Sequence, residues 1–422
     1  MFTVTTGNNH GYCDGIARRD FLRIGALGIG SFSLADLLRA EAAAETGSTH
    51  KSVINIFLGG GPSHQDMFDL KPDAPVEFRG EFNPISTNVS GIEICELMPR
   101  LAGMADKFAI VRSLTGIVNQ HSNFQTQTGY TVKDLRAVGG RPAMGSIVSR
   151  LQGASAGGAP PFVAYHSTSP GYLGPTHRAY QPSGGDLRLH GAMTSQRLAD
   201  RTGLLSSLDN LRRDLDASGQ MDAMDAFTQR AVDVVCSGKV ADAVDLKKED
   251  AKIVQRYTNS GKNFLLARRL VEAGVRVVTF SWGGWDTHGQ NFTTLRKQLP
   301  KLDTAVSALL EDLHQRGLDR DVSVVLWGEF GRTPRVNNNA GRDHWSRANF
   351  AFLAGGGMRT GQVIGSTTRY AEEPDDRPVH VQQVLATLYH NLGIDPLTTK
   401  INDPAGRPQY LVDHREPIYE LL

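Results

Sequence analysis

Six runs of apolar, largely β-branched residues limit the folds open to this chain. They are "SVINIFLGG" (52–60), "KFAIVRSLT" (107–115), "PPFVAYH" (160–166), "VRVVTFSW" (275–282), "DVSVVLWGE" (321–329) and "ANFAFLAGG" (348–356). Interrupted only by single polar residues, such runs suit strands buried on both faces, as in parallel sheets covered by helices. Apolar residues at helical spacing lie between them. They predict helices over 263–274, 299–317 and 380–393, each closing on a glycine where a C-terminal cap belongs. Helix, strand, helix and strand across 263–329 contain a βαβ unit. The expected class is therefore α/β, a doubly wound, mostly parallel sheet flanked by helices.

The stretch 135–190 is rich in Gly, Pro and Ser and reads as long loops around one strand. Residues 194–260 are charged and poor in strands. Together they suggest a loop-rich and helical insertion over 135–260, inside a single domain spanning 50–415.

The N-terminus reads as an address. Arg18-Arg19 and Phe21-Leu22 precede a Gly- and Ala-containing apolar run, and Ala42-Ala43-Ala44 follows it. A basic region, an apolar region and a small-residue cleavage site are the parts of a secretory signal. The arginine pair resembles the twin-arginine export signal, so residues 1–44 are expected to direct the chain to the periplasm or beyond. The apolar run, about 15 residues, falls short of the roughly 20 that a stable membrane span needs. Export leaves Cys95 and Cys236, which allow at most one disulfide. Lys and Arg number 45 against 44 Asp and Glu, so no basic field points to nucleic acid.

In open α/β sheets, ligands bind beyond the carboxyl ends of the strands. Here those ends share a chemistry. The first strand opens into "GGGPSHQD" with His64 and Asp66, and the second into Thr115, His121, Ser122 and Asn123. The fourth gives Asp286 and His288, the fifth Glu329 and Arg332, and a later loop Arg342, Asp343 and His344. Carboxylate oxygens and imidazole nitrogens are ligands that zinc and manganese accept. Arg332 and Arg342 are candidates for bidentate contact with phosphate or sulfate oxygens.

These stretches resemble a bacterial family, family 1501 of the domains of unknown function, of a type abundant in planctomycetes. The resemblance covers about residues 50–415. It is carried by "NIFLGGGPSHQDMFDLKPDAP", "ICELMPRLAGMADKFAIVRSL", "LLARRLVEAGVRVVTF", "GWDTHGQNF", "VVLWGEFGRTPRVN", "GRDHW" and "LAGGGMRTGQVIGST". That family is grouped with the alkaline phosphatase and sulfatase-like superfamily, metal-dependent enzymes acting on phosphate and sulfate esters. The resemblance thus implies an alkaline-phosphatase-like sheet. It also implies metal ligands at Asp66, Asp286, His288, His344 and Glu329, where Glu329-Phe330 replaces an Asp-His pair. Aligning on Thr128-Gly129 puts Asn119 at the nucleophile position, with Thr115 and Ser122 as hydroxyls out of register.

The leading expectation is an exported hydrolase of phosphate or sulfate esters, acting on a small-molecule or polysaccharide substrate. Asp286, His288, His344, Asp66 and Glu329 are the expected metal ligands, with zinc, manganese or calcium as the divalent cation. Glu329, Arg332, His121 and Thr115 are the candidate catalytic groups. A metal ion brings the pKa of water to about 7, which removes the need for a protein nucleophile. The competing expectation is a non-catalytic binding protein, with Trp282, Trp285 and Trp345 as a sugar-stacking or partner surface.

Overall fold

All six runs form strands of one mixed sheet in the computed structural model, which describes residues 51–155, 158–182, 197, 200 and 238–422. The strands of that sheet are β1 (Ser52–Phe57), β2 (Phe108–Thr115), β3 (Phe162–Ala164), β4 (Val277–Ser281), β5 (Val322–Trp327), β6 (Asn349–Gly355), β7 (Gln362–Ile364) and β8 (Val379–His380). Their spatial order is β7-β2-β6-β5-β1-β4-β3, with β8 also paired to β2. β1 lies parallel to both β4 and β5, and β3 is parallel to β4. β6 is antiparallel to both of its neighbours, β2 and β5. So β2 runs in the same direction as β5, and β6 alone is reversed among these six. The carboxyl ends of β1, β2, β4 and β5 therefore share an edge with the start of β6.

Alternate side chains feed two cores. On one face Ile54, Ile56, Val278, Phe280, Val324 and Leu326 pack against helices α1 (Lys262–Glu272) and α2 (Asn291–Gln315). On the other, Val53, Val277, Val325 and Trp327 pack against Met144, Ile147, Val384, Leu385 and Leu388. Helix α3 (Val381–Asn391) supplies the last three. Both faces of β1 are thus dry, which explains a run with no polar alternation.

Two expectations change. The helix predicted over 299–317 begins at Asn291, and Pro300 lies inside it. Proline costs a helix interior one hydrogen bond. Phe292, Leu295, Leu299 and Leu302 are all buried, so the apolar stripe runs straight through the proline. The 135–190 stretch also holds a buried helix, Met144–Gln152, where loops were expected. Its Gly145 backbone sits where an added Cβ would collide with the Phe162 ring, so a glycine that looks like a loop residue is a packing requirement.

The export signal over 1–44 and Cys236 lie outside the described residues, as do residues 156–157 and, apart from 197 and 200, 183–237 of the insertion expected over 135–260. Among the described residues, no helix is long and apolar enough to cross a membrane.

Candidate metal centre

The loop after β1 and the loop after β4 are stitched together by backbone hydrogen bonds. Trp282 N–H donates to Phe57 O at 2.8 Å and Trp285 N–H to Gly59 O at 3.2 Å. Gly60 makes this approach possible. Its φ is +114°, and a Cβ there would overlap the backbone of Trp285 and Asp286. Trp285 is buried, with its indole N–H on Trp282 O, and it anchors the turn from below. Asp286 and His288 are left pointing outward, both exposed. The third element is a short antiparallel ribbon that pairs Arg332 with His344. His344 precedes the reversed strand β6, which is why it arrives at the same edge as residues that follow β1, β2, β4 and β5.

His121, Asp286, His288 and His344 converge there, each offering one ligand atom, with all four atoms within 4.8 Å of one another. His288 Nε2 lies 3.0 Å from His344 Nε2 and 3.0 Å from Asp286 Oδ1. His344 Nε2 is 3.5 Å from Asp286 Oδ1, and His121 Nε2 is 3.4 Å from Asp286 Oδ2. Ligands about 2.0–2.2 Å from an ion stand about 3.3–3.6 Å apart at tetrahedral angles and about 2.8–3.1 Å apart at right angles. The 3.4 and 3.5 Å spacings match the first and the two of 3.0 Å the second, so the set suits a first-row divalent cation. Three imidazoles and a carboxylate are a donor set for zinc or manganese, whereas calcium prefers oxygen.

A second layer orients the imidazoles. Glu329 Oε1 lies 3.0 Å from His121 Nδ1, and Asp343 Oδ1 lies 2.7 Å from His288 Nδ1. An ionised carboxylate only accepts, so each ring carries its proton on Nδ1 and turns the Nε2 lone pair toward the cluster. Glu329 is buried and also accepts the N–H groups of Gly60 (2.9 Å) and Gly61 (3.1 Å). The Phe330 ring packs on His344, with centroids 4.2 Å apart, and on His121 at 5.1 Å.

The electrostatics favour ligands free of protons. Partial burial alone would raise the Asp286 carboxyl, yet the Arg332 hydrogen bond and charge, helped by His288 and His121, carry it below its usual value. Hydrogen bonds from His288 and Asn337 hold the Asp343 carboxyl low. Burial first, then Arg332 and the two neighbouring histidines, lowers the His344 imidazole.

The structure brings Asp286, His288 and His344 together and adds His121, which was expected in a catalytic role. It does not bring Asp66, Glu329 or Thr115 into the four-residue set. Asp66 is buried, and its oxygens face Arg342 Nε (2.8 Å) and Nη2 (2.9 Å), Ser63 Oγ (2.6 Å) and Asn291 Nδ2 (2.8 Å). Glu329 stands one layer behind His121. Thr115 Oγ1 donates to Val379 O at 3.2 Å.

Arg332 is fully buried. Its nitrogens donate to Gly61 O, Arg342 O, Gly60 O, Trp285 O and, at 2.6 Å, to Asp286 Oδ1. Arg342 is equally buried and spends its donors on Asp66 and on the carbonyls of Thr333, Pro334 and Phe78. Neither guanidinium presents itself to a ligand. The proposed tryptophan surface is also reduced, since Trp285 is in the core and Trp282 and Trp345 are half-buried. Asp343 as an orienting carboxylate had no signal in the sequence beyond standing beside His344.

Among solved structures, the fold is similar to a PsFucS1 sulfatase from Pseudoalteromonas sp., at 10% identity over 84% of this chain and 70% of that one, with a TM-score of 0.39. It is also similar to a zinc complex of the C-terminal periplasmic domain of EcEptC from Escherichia coli (8% identity, 90% and 93% covered, TM-score 0.37). A third is the phosphonate monoester hydrolase SpPMH from Silicibacter pomeroyi (11% identity, 81% and 73% covered, TM-score 0.35). No curated protein matches the sequence. The family model described as "Protein of unknown function (DUF1501)" matches residues 50–422, and the chain belongs to that family.

Proposed function

We propose that this protein is an exported, metal-dependent hydrolase of phosphate or sulfate esters. The observation that carries the reading is the convergence of His121, Asp286, His288 and His344 at the sheet edge where α/β folds bind ligands. The donor set fits zinc or manganese. When bound, such an ion supplies Lewis acidity to an ester oxygen and acidifies water.

The chain's own residues divide the remaining work. Asp286 and the Nε2 atoms of the three histidines hold the cation. Glu329 and Asp343 fix the tautomers of His121 and His288, and Arg332 fixes the carboxylate plane of Asp286. With both oxygens already accepting from Gly60, Gly61 and His121, Glu329 acts by holding His121 and not by taking a proton from substrate. Water acidified by such an ion would serve as the nucleophile, without attack by a side chain. The ligand side chains of His121, Asp286 and His288 are each nearly half exposed, which leaves room for a large ester such as a polysaccharide.

The test is metal content of protein matured in its own export pathway, measured beside Asp286→Ala, together with turnover of aryl phosphates, phosphodiesters and aryl sulfates. Bound metal in the parent alone, with turnover lost in His344→Ala, is the expected result. No metal in either protein rejects the reading.

A further inference from the structure

The charge around the cluster bears on which ester fits it. Three carboxylates belong to the site or touch its ligands directly: Asp286 as ligand, Glu329 on His121 and Asp343 on His288. Among the described residues, Arg332 is the one arginine or lysine in an ion pair with the cluster. The imidazoles are neutral when they ligate. Three negative charges, one guanidinium and a divalent cation therefore sum to zero.

The groups that usually hold a doubly charged phosphate are occupied elsewhere. Both buried arginines donate inward, and the N–H groups of Gly60 and Gly61 point at Glu329, not at the open side. A dianion placed on the outer face meets the cation, but with no surplus positive charge behind it. It also meets the exposed Asp343 carboxylate beside His288. Halving the charge of the oxyanion halves attraction and repulsion alike, and at a neutral site the two nearly cancel. The cost of stripping water from the ion grows as the square of its charge, so the dianion is the one left uncompensated.

We infer that the site selects monoanionic esters, phosphodiesters or sulfate monoesters, over dianionic phosphate monoesters. This rests on the hydrolase reading above. The shared feature is one negative charge on a tetrahedral oxyanion, and the substrates below separate its two sources.

The experiment uses the full mature chain loaded with zinc or manganese at pH 8. Turnover of bis(p-nitrophenyl) phosphate and p-nitrophenyl sulfate is compared with that of p-nitrophenyl phosphate. In parallel, calorimetry measures binding of phenylphosphonate, a dianion, and of its monomethyl ester, a monoanion that keeps two of the three terminal oxygens. One of the two monoanionic substrates is expected to exceed the dianion in kcat/KM by on the order of tenfold or more.

Asp343→Asn and Glu329→Gln each remove one negative charge, the first beside His288 and the second beside His121. In whichever variant calorimetry shows to keep its metal, relative affinity for phenylphosphonate over its ester should rise by on the order of tenfold, as one unit charge at ~6 Å implies at intermediate dielectric. Preferred turnover of the dianion, or an affinity ratio unmoved in a metal-loaded variant, overturns the inference. Metal binding without turnover of any ester rejects the hydrolase reading alone, because the binding ratio still reports charge selection. Absence of metal binding rejects both.

Discussion

Glu329 Oε1 and His121 Nδ1 stand 3.0 Å apart, and the same carboxylate accepts two backbone N–H groups from the glycine loop after β1. One side chain thereby ties three strand ends together: its own after β5, His121 after β2 and Gly60-Gly61 after β1. The consequence for His121 is a fixed tautomer with Nε2 free to ligate.

Glu329→Gln should therefore weaken metal binding without removing a ligand. Loss of an orienting carboxylate on a ligating histidine typically costs about 10- to 100-fold in affinity. Competition titration against a chromophoric chelator measures it. Unchanged affinity would show that His121 needs no partner to bind.

Asp66 separates structure from metal binding. It pairs with Arg342 where both are essentially inaccessible to water. Removing one partner of such a pair strands a buried charge, at a cost of about 3–5 kcal/mol. Asp66→Ala should lower stability by that order in denaturant unfolding, while the fraction that stays folded keeps its metal. Metal lost from folded Asp66→Ala protein would instead make Asp66 a ligand.

Gly60→Ala tests the loop stitching. At a φ of +114° an alanine is strained, and its Cβ would press on the Asp286 backbone. The expected outcome is weaker metal binding together with a loss of about 1–3 kcal/mol in stability, as for an overpacked site. A variant with parental affinity would mean that Asp286 does not depend on this approach.

His64 gives a pH signature away from the metal ligands. It is fully buried, and neither ring nitrogen has a hydrogen-bond partner among the described residues. Burial lowers its pKa from 6.5 to about 4; Lys71 and Arg342 push the same way, against Asp69 and Asp66. Because the folded value lies below the unfolded one, the unfolded chain binds the extra proton. The stability is whole above pH 6.5 and is lost as pH falls toward 4, by up to about 3 kcal/mol. His64→Leu should flatten that part of the stability profile. An equal slope with and without His64 would assign the loss to other groups.

The sequence by itself determined the sheet. Strand runs such as 52–60 and 321–329 are apolar on both faces, and that pattern is local to each run, so it can be read without knowing the partners. The same holds for the clustering of acids and imidazoles after those runs. The convergence of Asp286, His288 and His344 was legible because strand ends sort them to one edge.

The tertiary structure decided which of the remaining polar residues face that edge. Asp66 follows β1 as plainly as Asp286 follows β4, yet Arg342 from a distant loop claims it. Arg332 looked like an anion clamp, but its donors turn inward to carbonyls that no local pattern reveals. His121, expected among the catalytic groups, joins the four-residue cluster with its Nδ1 facing Glu329, 208 positions later. A hydrogen bond between distant segments depends on how the strands are ordered in the sheet. That order is set by packing across the whole core, and no single stretch of the chain carries it.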